Sequence, residues 1–323
     1  MTGAFPRILL HNAETADLAR WLTTALPNAD FRECDSYRAL PALIDSYRPD
    51  IVYTVRFDGT PGFPREALLA PGGPRWIANA GVGTDHFGMW DPDRTTVTNA
   101  AGVAAGMMSE YILGCFLHFT LDVTGLHRDK AARRWTSRRM SPLAGKTLLI
   151  IGLGHTGRAL AKRAKAFDMT VLGTRARPAP TEHVDEVHAA GALREILPRA
   201  DFIAVATPLL PSTHGLIGEE EIACMKPGVM LADVSRGGVV DQSALEVALK
   251  SGRIAAAALD VFETEPLPES SALWALPNVI VSPHCSSVYE GWEKASFRLF
   301  LDNLGRWRRN ETLVNIVDPS RGY

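Results

Sequence analysis

Short apolar runs alternate with amphipathic segments along the first hundred residues of the chain. The runs RILLHN (7–12), IVYTVRF (51–57), RWIANA (75–80) and TTVTNA (95–100) predict strands, and residues 15–26 predict a helix. Alternation of strands and helices is typical of a parallel sheet with helices on both faces. This part of the chain therefore predicts an α/β domain.

A second series of strands and helices begins at residue 148. Strands are predicted within 148–151, 170–174, 201–208, 229–238, 255–262 and 279–284, and helices within 158–167, 193–197 and 242–250. Most of these strands are continuous apolar runs, as expected where parallel strands are covered on both faces. We therefore expect a second α/β domain.

Two longer helices are predicted outside these series. Residues 103–130, rich in Ala, Met and Leu, predict one continuous helix, and residues 289–309 carry large apolar side chains at helical spacing. The second of these helices is expected to return to the first domain. The predicted domains are thus 1–100 plus 290–323, as the substrate domain, and 101–289, as a dinucleotide-binding domain.

The segment LLIIGLGHTGRALAKRAKAF (148–167) places three glycines between a strand and a helix. Gly152 suits a tight turn, Gly154 lacks a Cβ that would block a pyrophosphate, and Gly157 permits close packing of helix on strand. The N–H groups at the helix start and the helix dipole favour a bound phosphate. An ordinary βα turn is the alternative, but the strand before and the helix after favour a dinucleotide site.

Three residues with catalytic chemistry follow three successive predicted strands. Arg236 follows VMLADVS, Glu265 follows AAAALDVF after a short turn, and His284 ends VIVSPH. Because ligands bind beyond the carboxyl ends of parallel strands, we expect these side chains at one site. An arginine can bind a carboxylate, and a carboxylate raises the pKa of a neighbouring imidazole, which makes it a proton donor. Taken singly, Arg236 could belong to a surface ion pair, Glu265 could occupy a turn, and His284 could be a core histidine. Together the three residues predict reduction of a carbonyl in an anionic acid.

Several segments, in this order and separation, resemble the D-2-hydroxyacid dehydrogenase family. They are the glycine turn, PLLPSTHGLIG (208–218), VSRGGVVD (234–241), ALDVFETEPLP (258–268) and SPH (282–284). MMSEYILG (107–114) is similar to the glyoxylate/hydroxypyruvate reductase-like branch. The resemblance extends from about residue 75 to residue 290.

The resemblance implies two Rossmann- or flavodoxin-like domains with parallel sheets and an active site in the interdomain cleft. It implies that Arg236 binds the substrate carboxylate, that His284 is the acid/base, and that Glu265 pairs with His284. It also implies a homodimer formed through the long helix at 103–130. The glycines of the loop at Gly81–Gly83 can present backbone N–H groups. The resemblance implies that these N–H groups bind the substrate carboxylate.

The full set of predicted contacts is larger. For the cofactor it comprises Gly152, Gly154, His155, Thr156, Gly157, Thr174, Arg175, Arg177, Thr207, Pro208, Val234, Ser235, Arg236, Asp260 and His284. For the substrate it comprises Val82, Gly83, Trp135, Arg236 and His284. Trp135 is included because an exposed aromatic ring within the basic segment 128–139 could cover an anion, although most charges of that segment are expected to be ordinary surface charges.

Two positions depart from the usual pattern of the family. An enzyme selective for NAD carries an acidic residue about 20 positions after the glycine turn, but here the strand TVLGT is followed by Arg175, Ala176 and Arg177. We therefore expect NADP(H) as the cofactor, with NAD(H) as the alternative. Asp233 stands where relatives often carry Asn, and the sequence offers no account of its effect.

Composition and charge exclude other classes of protein. The chain has 323 residues, and its net charge of −2 gives no electrostatic reason to expect nucleic acid or a membrane surface as a partner. No apolar run approaches the length of a transmembrane helix and no secretory signal is recognised, so a cytoplasmic location is expected. The four cysteines, Cys34, Cys115, Cys224 and Cys285, are widely spaced, which predicts free thiols and no metal site. Cys285 is expected to be a small buried side chain and not a nucleophile.

Three alternative functions stay open at this point. A corepressor-like protein that senses a dinucleotide could use the same fold, although Arg236, Glu265 and His284 disfavour a purely binding role. A D-2-hydroxyacid dehydrogenase of another specificity is the second alternative. A formate dehydrogenase is the third, but those enzymes resemble this chain less because they place Gln where Glu265 stands.

Overall fold

The computed structural model describes residues 5–57 and 60–320. The chain divides into two compact units. The first comprises Met1–Val103 and Glu290–Tyr323, and the second comprises Ala104–Tyr289. Each unit is built on its own parallel sheet, as the alternation of strands and helices predicts.

The first unit contains a five-stranded parallel sheet in the order β2-β1-β3-β4-β5. Its strands are β1 (Arg7–His11), β2 (Asp30–Cys34), β3 (Ile51–Thr54), β4 (Trp76–Asn79) and β5 (Thr96–Thr98), with helices α1 (Ala16–Ala25), α2 (Leu40–Tyr47) and α3 (Arg65–Leu69). Sequence patterns missed β2, because this edge strand (DFREC) is mostly polar and exposed. The central strands β3 and β4 are buried throughout, which is why their apolar runs were recognisable.

The second unit contains a seven-stranded parallel sheet in the order β12-β11-β10-β9-β6-β7-β8. Its strands are β6 (Thr147–Ile151), β7 (Thr170–Arg175), β8 (Glu186–Ala189), β9 (Phe202–Val205), β10 (Val229–Asp233), β11 (Ile254–Leu259) and β12 (Val279–Val281). Its helices are α4 (Ala105–Thr120), α5 (Val123–Ala131), α6 (His155–Ala166), α7 (Leu193–Ile196), α8 (Glu219–Cys224) and α9 (Gln242–Ser251). The prediction of two α/β domains with parallel sheets is confirmed.

Successive strand residues point to opposite faces of each sheet, so each unit has two apolar cores. In the first unit, Ile8 and Tyr53 contribute to the core that contains Phe297 and Phe300 of the last helix, α10 (Trp292–Arg308). Leu9 and its neighbours contribute to the core on the other face. The aromatic side chains of α10 are therefore core residues of the first unit.

The prediction of one continuous helix over 103–130 is wrong. The chain forms two helices, α4 and α5, which are separated at Leu121 and Asp122. Asp122 has a left-handed backbone conformation with a φ of 46°, and its carboxylate accepts a hydrogen bond of 3.0 Å from the N–H of Gly125. A capping aspartate of this kind stops one helix and begins the next. The sequence Asp-Val-Thr-Gly at 122–125 is the signal that could have located the break.

Both sheets change winding direction at a defined point. In the second unit β6 lies between β7 and β9, and in the first unit β1 lies between β2 and β3. Connections leave such neighbouring strands toward opposite faces of the sheet, which opens a crevice at the carboxyl edge. In the second unit the glycine turn lies at this point, directly after β6.

Candidate active site

The glycine turn between β6 and α6 combines two crowded positions with one open position. Gly152 has a φ of 105°, and a Cβ there would lie 2.6 Å from the carbonyl oxygen of Ala206. A Cβ at Gly157 would lie 2.1 Å from the carbonyl oxygen of Gly152. At Gly154 no atom of another described residue, apart from its chain neighbours, lies within 4 Å of the Cβ position. Packing therefore requires glycine at 152 and 157. Gly154, in contrast, leaves space for a ligand beside the start of α6.

The N terminus of α6 provides donors toward that space. The N–H groups of His155, Thr156 and Gly157 occupy the first turn of α6, and the N-cap residue, Gly154, has no side chain to cap them. Partial burial and the nearby Arg158 guanidinium lower the pKa of His155, so its ring does not add a positive charge at neutral pH. The Thr156 hydroxyl is directed at the Met108 sulfur, 3.6 Å away, so its backbone N–H is the group left for a phosphate. These features fit the pyrophosphate of a dinucleotide.

The end of β7 lies against the glycine turn. The carbonyl oxygen of Thr174 accepts hydrogen bonds from the N–H groups of Gly152 and Leu153, at 3.2 and 3.0 Å. Arg175 follows directly, half-buried, and Arg177 lies exposed two residues further. Within residues 5–57 and 60–320, neither guanidinium forms an ion pair with a carboxylate. Both are therefore available to an anionic group beside the glycine turn.

The ends of β9 and β10 bring the next predicted cofactor residues to the same edge. Thr207 and Pro208 follow Ala206, whose carbonyl oxygen packs on Gly152. The N–H of Val234 donates to the carbonyl oxygen of Val205 at 3.1 Å, so Val234 and Ser235 lie beside the end of β9. The order β10-β9-β6-β7 therefore places these residues along one continuous edge.

A hydrogen-bonded histidine and carboxylate form the centre of the site. The Nδ1 atom of His284 lies 2.9 Å from Oε2 of Glu265. Oε1 of Glu265 accepts a hydrogen bond of 3.0 Å from the N–H of Phe262, which orients the carboxylate. Both side chains are just over one-third exposed. Because Glu265 occupies Nδ1, Nε2 is the ring nitrogen that can exchange a proton with a substrate.

Arg236 lies at the same sheet edge as this pair. It follows β10, while Glu265 and His284 follow the neighbouring strands β11 and β12. Its Nη1 atom donates to the carbonyl oxygen of Ser235 at 2.8 Å, and the side chain is half-buried. One edge of one sheet thus carries a fixed cation and a proton donor. This combination can bind an anionic carbonyl compound and protonate its oxygen.

Asp260 anchors the loop that carries His284. Its buried carboxylate accepts hydrogen bonds from the Ser282 hydroxyl at 2.6 Å and from the N–H groups of Cys285 and Ser286 at 2.9 and 3.1 Å. Ser282 also shares a hydrogen bond of 2.7 Å with the Tyr111 hydroxyl on α4. Ser282, Ser286 and Tyr111 are further positioning residues, which no local pattern in the sequence indicates. The cofactor contact predicted for Asp260 stays a prediction.

Asp233 has a clear structural role in the turn that leads to Arg236. Its Oδ1 atom accepts hydrogen bonds from both the N–H and the hydroxyl of Ser235, at 2.9 and 2.5 Å. The side chain is 4% exposed. Burial, and more weakly the negative charge of Asp260, raises the pKa of Asp233 to about 7, although the hydrogen bonds from Ser235 act in the opposite direction. An asparagine could make the same two bonds but could not ionise.

In the first unit, the loop Gly81–Gly83 is held by two asparagines at strand ends. The side-chain amide of Asn79 donates to the carbonyl oxygens of Gly81 and Gly83, at 3.0 and 2.9 Å, and that of Asn99 donates to Val82 at 2.8 Å. In the described part of the chain, the loop's own N–H groups donate to no protein acceptor. This geometry suits anion binding. The substrate contacts predicted for Val82 and Gly83 stay predictions, and Asn79 and Asn99 are positioning residues that were missed.

Two expectations about side-chain exposure have different outcomes. Trp135 is fully exposed in the single chain, so no packing supports the substrate contact predicted for it. The expected burial of Cys285 is wrong, because its side chain is exposed. Partial desolvation and the carboxylate of Asp260 raise the pKa of the Cys285 thiol, so the residue is not an activated nucleophile.

Two arginines of the basic segment around Trp135 form ion pairs on the same surface. Arg138 pairs with both Asp122 and Asp129, and Arg134 pairs with Asp129 at 2.9 Å.

Across residues 5–57 and 60–320 there is no cluster of three or more His, Cys, Asp or Glu side chains that could hold a metal ion. Within the same residues, no helix has the length and apolar character needed to cross a bilayer.

Comparison with known proteins identifies a related group. Residues 113–286 match the family described as D-isomer specific 2-hydroxyacid dehydrogenase, NAD binding domain. A glyoxylate reductase from Pyrococcus horikoshii is 35% identical over 257 residues, which cover 75% of this chain and 76% of that protein. A D-3-phosphoglycerate dehydrogenase from Methanocaldococcus jannaschii is 36% identical over 256 residues, which cover 75% of this chain but 47% of that protein.

A solved structure is similar over nearly the whole chain. The D-isomer specific 2-hydroxyacid dehydrogenase from Xanthobacter autotrophicus Py2, in complex with NADPH and MES, superposes with a TM-score of 0.85 at 31% identity. The superposition covers 99% of this chain and 100% of the other. The similarity therefore includes both units and not only the segment that carries the glycine turn.

Proposed function

The chain belongs to the D-isomer specific 2-hydroxyacid dehydrogenase family, and we propose that it is an NADPH-dependent reductase of small 2-oxo acids. Glyoxylate and hydroxypyruvate are the proposed substrates. The observation that carries the proposal is the 2.9 Å pair between His284 and Glu265, at the sheet edge that also carries Arg236 and the glycine turn. A site that only senses a dinucleotide has no need for an oriented acid/base pair.

Each residue has a defined part in the proposed reaction. The Arg236 guanidinium binds the substrate carboxylate and polarises the keto oxygen. The reduced nicotinamide, when bound, supplies a hydride to the keto carbon. Nε2 of His284 donates a proton to the developing alkoxide, and Glu265 stabilises the imidazolium through Nδ1. Asp260 keeps His284 in place by fixing the backbone of residues 285 and 286.

The cofactor is assigned from the end of β7. Arg175 and Arg177 present positive charge where an NAD-selective enzyme has a carboxylate. The related structure from Xanthobacter autotrophicus was crystallised with NADPH, and it includes the corresponding domain. Both observations support NADPH over NADH. We further propose that the protein acts in the cytoplasm as a homodimer that associates through the segment containing α4 and α5.

A spectrophotometric screen tests the proposed function. Oxidation of NADPH and of NADH is followed with glyoxylate, hydroxypyruvate, pyruvate and other 2-oxo acids, and the reverse reaction is followed with D-3-phosphoglycerate. We expect the highest kcat/KM with NADPH and glyoxylate or hydroxypyruvate. Turnover of D-3-phosphoglycerate alone would assign the specificity of the relative from Methanocaldococcus jannaschii. Dinucleotide binding without any turnover would support the corepressor-like alternative.

Arg236→Lys tests the carboxylate clamp. Lysine keeps the positive charge but lacks the planar pair of donors that binds a carboxylate at two points. We expect a rise of at least about tenfold in the KM for glyoxylate, since one charge-assisted hydrogen bond is typically worth about 1.5–3 kcal/mol. The KM for NADPH should change little. Normal glyoxylate kinetics in the lysine variant would contradict the assignment.

A further inference from the structure

Two buried aspartates lie at the ends of neighbouring strands in the second unit. Asp233 pairs with Leu259, so the side chains of Asp233 and Asp260 leave opposite faces of the sheet. Asp233 is the last residue of β10, and Asp260 directly follows β11. The N–H of Asp260 donates to the backbone carbonyl oxygen of Asp233 at 3.0 Å, and the two side chains are 4% and 1% exposed. Burial disfavours the ionised form of a carboxylate, and the negative charge of Asp260 adds to this effect at Asp233.

The two carboxylates differ in their hydrogen bonds. Asp260 accepts from the Ser282 hydroxyl and from the N–H groups of Cys285 and Ser286, with both carboxylate oxygens in use. Within residues 5–57 and 60–320, the Asp233 carboxylate accepts only from Ser235, and both bonds reach Oδ1. Donors stabilise the charged form of a carboxylate. Asp260 is therefore the more extensively hydrogen-bonded of the two side chains, and Asp233 is the group that holds a proton.

Few other charges act on Asp233. The Arg236 guanidinium favours its ionisation, whereas Asp260 opposes it. Glu263 lines the same small cavity as Asp233 and is exposed. On the side of Asp260, burial raises the pKa values of the Tyr111 phenol and the Cys115 thiol on α4, so both are neutral at neutral pH. On the side of Asp233, α9 contributes Gln242 and Leu245 to the cavity, and neither side chain ionises. A new positive charge at this edge would favour the ionised form of Asp233, as the Arg236 guanidinium does.

We propose that Asp233 couples its own protonation to the redox state of the bound nicotinamide, holding a proton beside the neutral reduced ring and losing it to solvent beside the cationic oxidised ring. This inference rests on the proposed function, because the nicotinamide must reach the carbonyl held by Arg236 and His284. Asp233 is bonded to Ser235, the residue next to Arg236, so its charge lies near that position. No bond to the cofactor is made or broken; one proton exchanges with water. Asp233 is thus a positioning residue that also tunes the relative affinity for the two cofactor forms.

The expected signature is a pH-dependent ratio of two affinities. As the pH rises through the ionisation of Asp233, the affinity for NADP⁺ should increase relative to the affinity for NADPH. The ratio should change by about tenfold for each unit by which the pKa of Asp233 differs between the two complexes. Asp233→Asn keeps the acceptor for Ser235 but has no carboxyl proton to release. The ratio of the affinities for NADP⁺ and NADPH should therefore not change with pH in this variant.

The Kd values of NADP⁺ and NADPH are measured by calorimetry from mildly acidic to mildly alkaline pH. The wild type is compared with Asp233→Asn and with Asp168→Asn. The control makes the same chemical change at an exposed residue that precedes β7 at the amino end of the strand. A slope present in the wild type and the control but lost in Asp233→Asn supports the proposal. A flat ratio in the wild type, or an unchanged slope in Asp233→Asn, overturns it.

A second measurement separates this proposal from the proposed function. Because the pKa of Asp233 is raised to about 7 on folding, its proton stabilises the unliganded fold at low pH, and this stabilisation is lost as the pH rises toward and through 7. The free energy of unfolding of the wild type should therefore fall over this range more steeply than that of Asp233→Asn. If neither dinucleotide binds, the proposed function and the coupling both fail, while this difference in stability still reports the proton on Asp233.

Ser235→Ala is expected to shift the pH dependence of the affinity ratio instead of abolishing it. It removes one of the two donors to Asp233 and should move the midpoint of the pH dependence to a higher pH. An unchanged or lower midpoint would contradict the assignment of the titrating group to Asp233. This variant also keeps the proposal testable if Asp233→Asn folds poorly.

Discussion

Replacing His284 with alanine is expected to lower turnover by about 10²–10⁴-fold, the usual contribution of a general acid. The affinity for NADPH should change little, because the glycine turn and Arg175 that are proposed to bind the phosphates lie after other strands of the sheet. Steady-state kinetics with glyoxylate and direct titration with NADPH measure the two effects. The structural reason is specific: Glu265 occupies Nδ1 at 2.9 Å, which leaves Nε2 to donate the proton.

A neighbouring residue provides the matched control for this experiment. Cys285→Ser changes the exposed thiol beside His284 but keeps the backbone N–H that donates to Asp260. Its turnover should stay near that of the wild type, because the raised pKa of the thiol argues against a nucleophilic role. An isotope effect from deuterated NADPH is used to show that the chemical step limits turnover. Under that condition, a His284→Ala variant that retains more than about a third of the wild-type turnover would contradict the assignment of His284 as the general acid.

Replacing Arg175 with aspartate is expected to reverse or abolish a preference for NADPH. The Thr174 carbonyl oxygen is bonded to the N–H groups of Gly152 and Leu153, so the residue that follows it lies beside the glycine turn. A guanidinium there attracts a 2′-phosphate, whereas a carboxylate repels it and accepts hydrogen bonds from a free ribose hydroxyl. Charge-assisted hydrogen bonds of about 1.5–3 kcal/mol correspond to roughly tenfold to a hundredfold in affinity.

The change should be found mostly in the KM for NADPH. Arg20→Asp is a matched control, because it makes the same charge change on α1 of the first unit, at an exposed side chain. Arg177→Asp measures the share of the second arginine. Equal kcat/KM with NADPH and NADH in the wild type would show that neither Arg175 nor Arg177 recognises the phosphate, whatever the variants do.

The sequence by itself determined most of the second unit and the chemistry of its sheet edge. Buried parallel strands are continuous apolar runs, so β6, β9, β10 and β11 are recognisable without knowledge of their neighbours. The glycine turn is equally local, because its steric requirements arise within one strand, one turn and one helix. Arg236, Glu265 and His284 could be grouped because each follows such a strand, and the ends of parallel strands share an edge.

Edge strands and helix ends were less accessible to sequence patterns. Two of the four edge strands, β2 and β8, carry exposed and polar residues, so the apolar signal is absent from them. The break between α4 and α5 depends on one capping aspartate inside an otherwise helical composition. In both cases the deciding interaction is a hydrogen bond, which leaves little trace in the pattern of apolar positions.

Only the tertiary structure decided how the catalytic groups are held. The Tyr111 and Ser282 hydroxyls meet across 171 residues of sequence, and Asp260 binds a loop 25 and 26 residues further along the chain. The exposure of Cys285 and the buried proximity of Asp233 to Asp260 likewise follow from strand order and loop packing. Such contacts depend on the packing of segments distant in sequence. A single sequence thus specifies which residues can perform the chemistry, whereas the fold specifies their orientation, their hydrogen bonds and their charge.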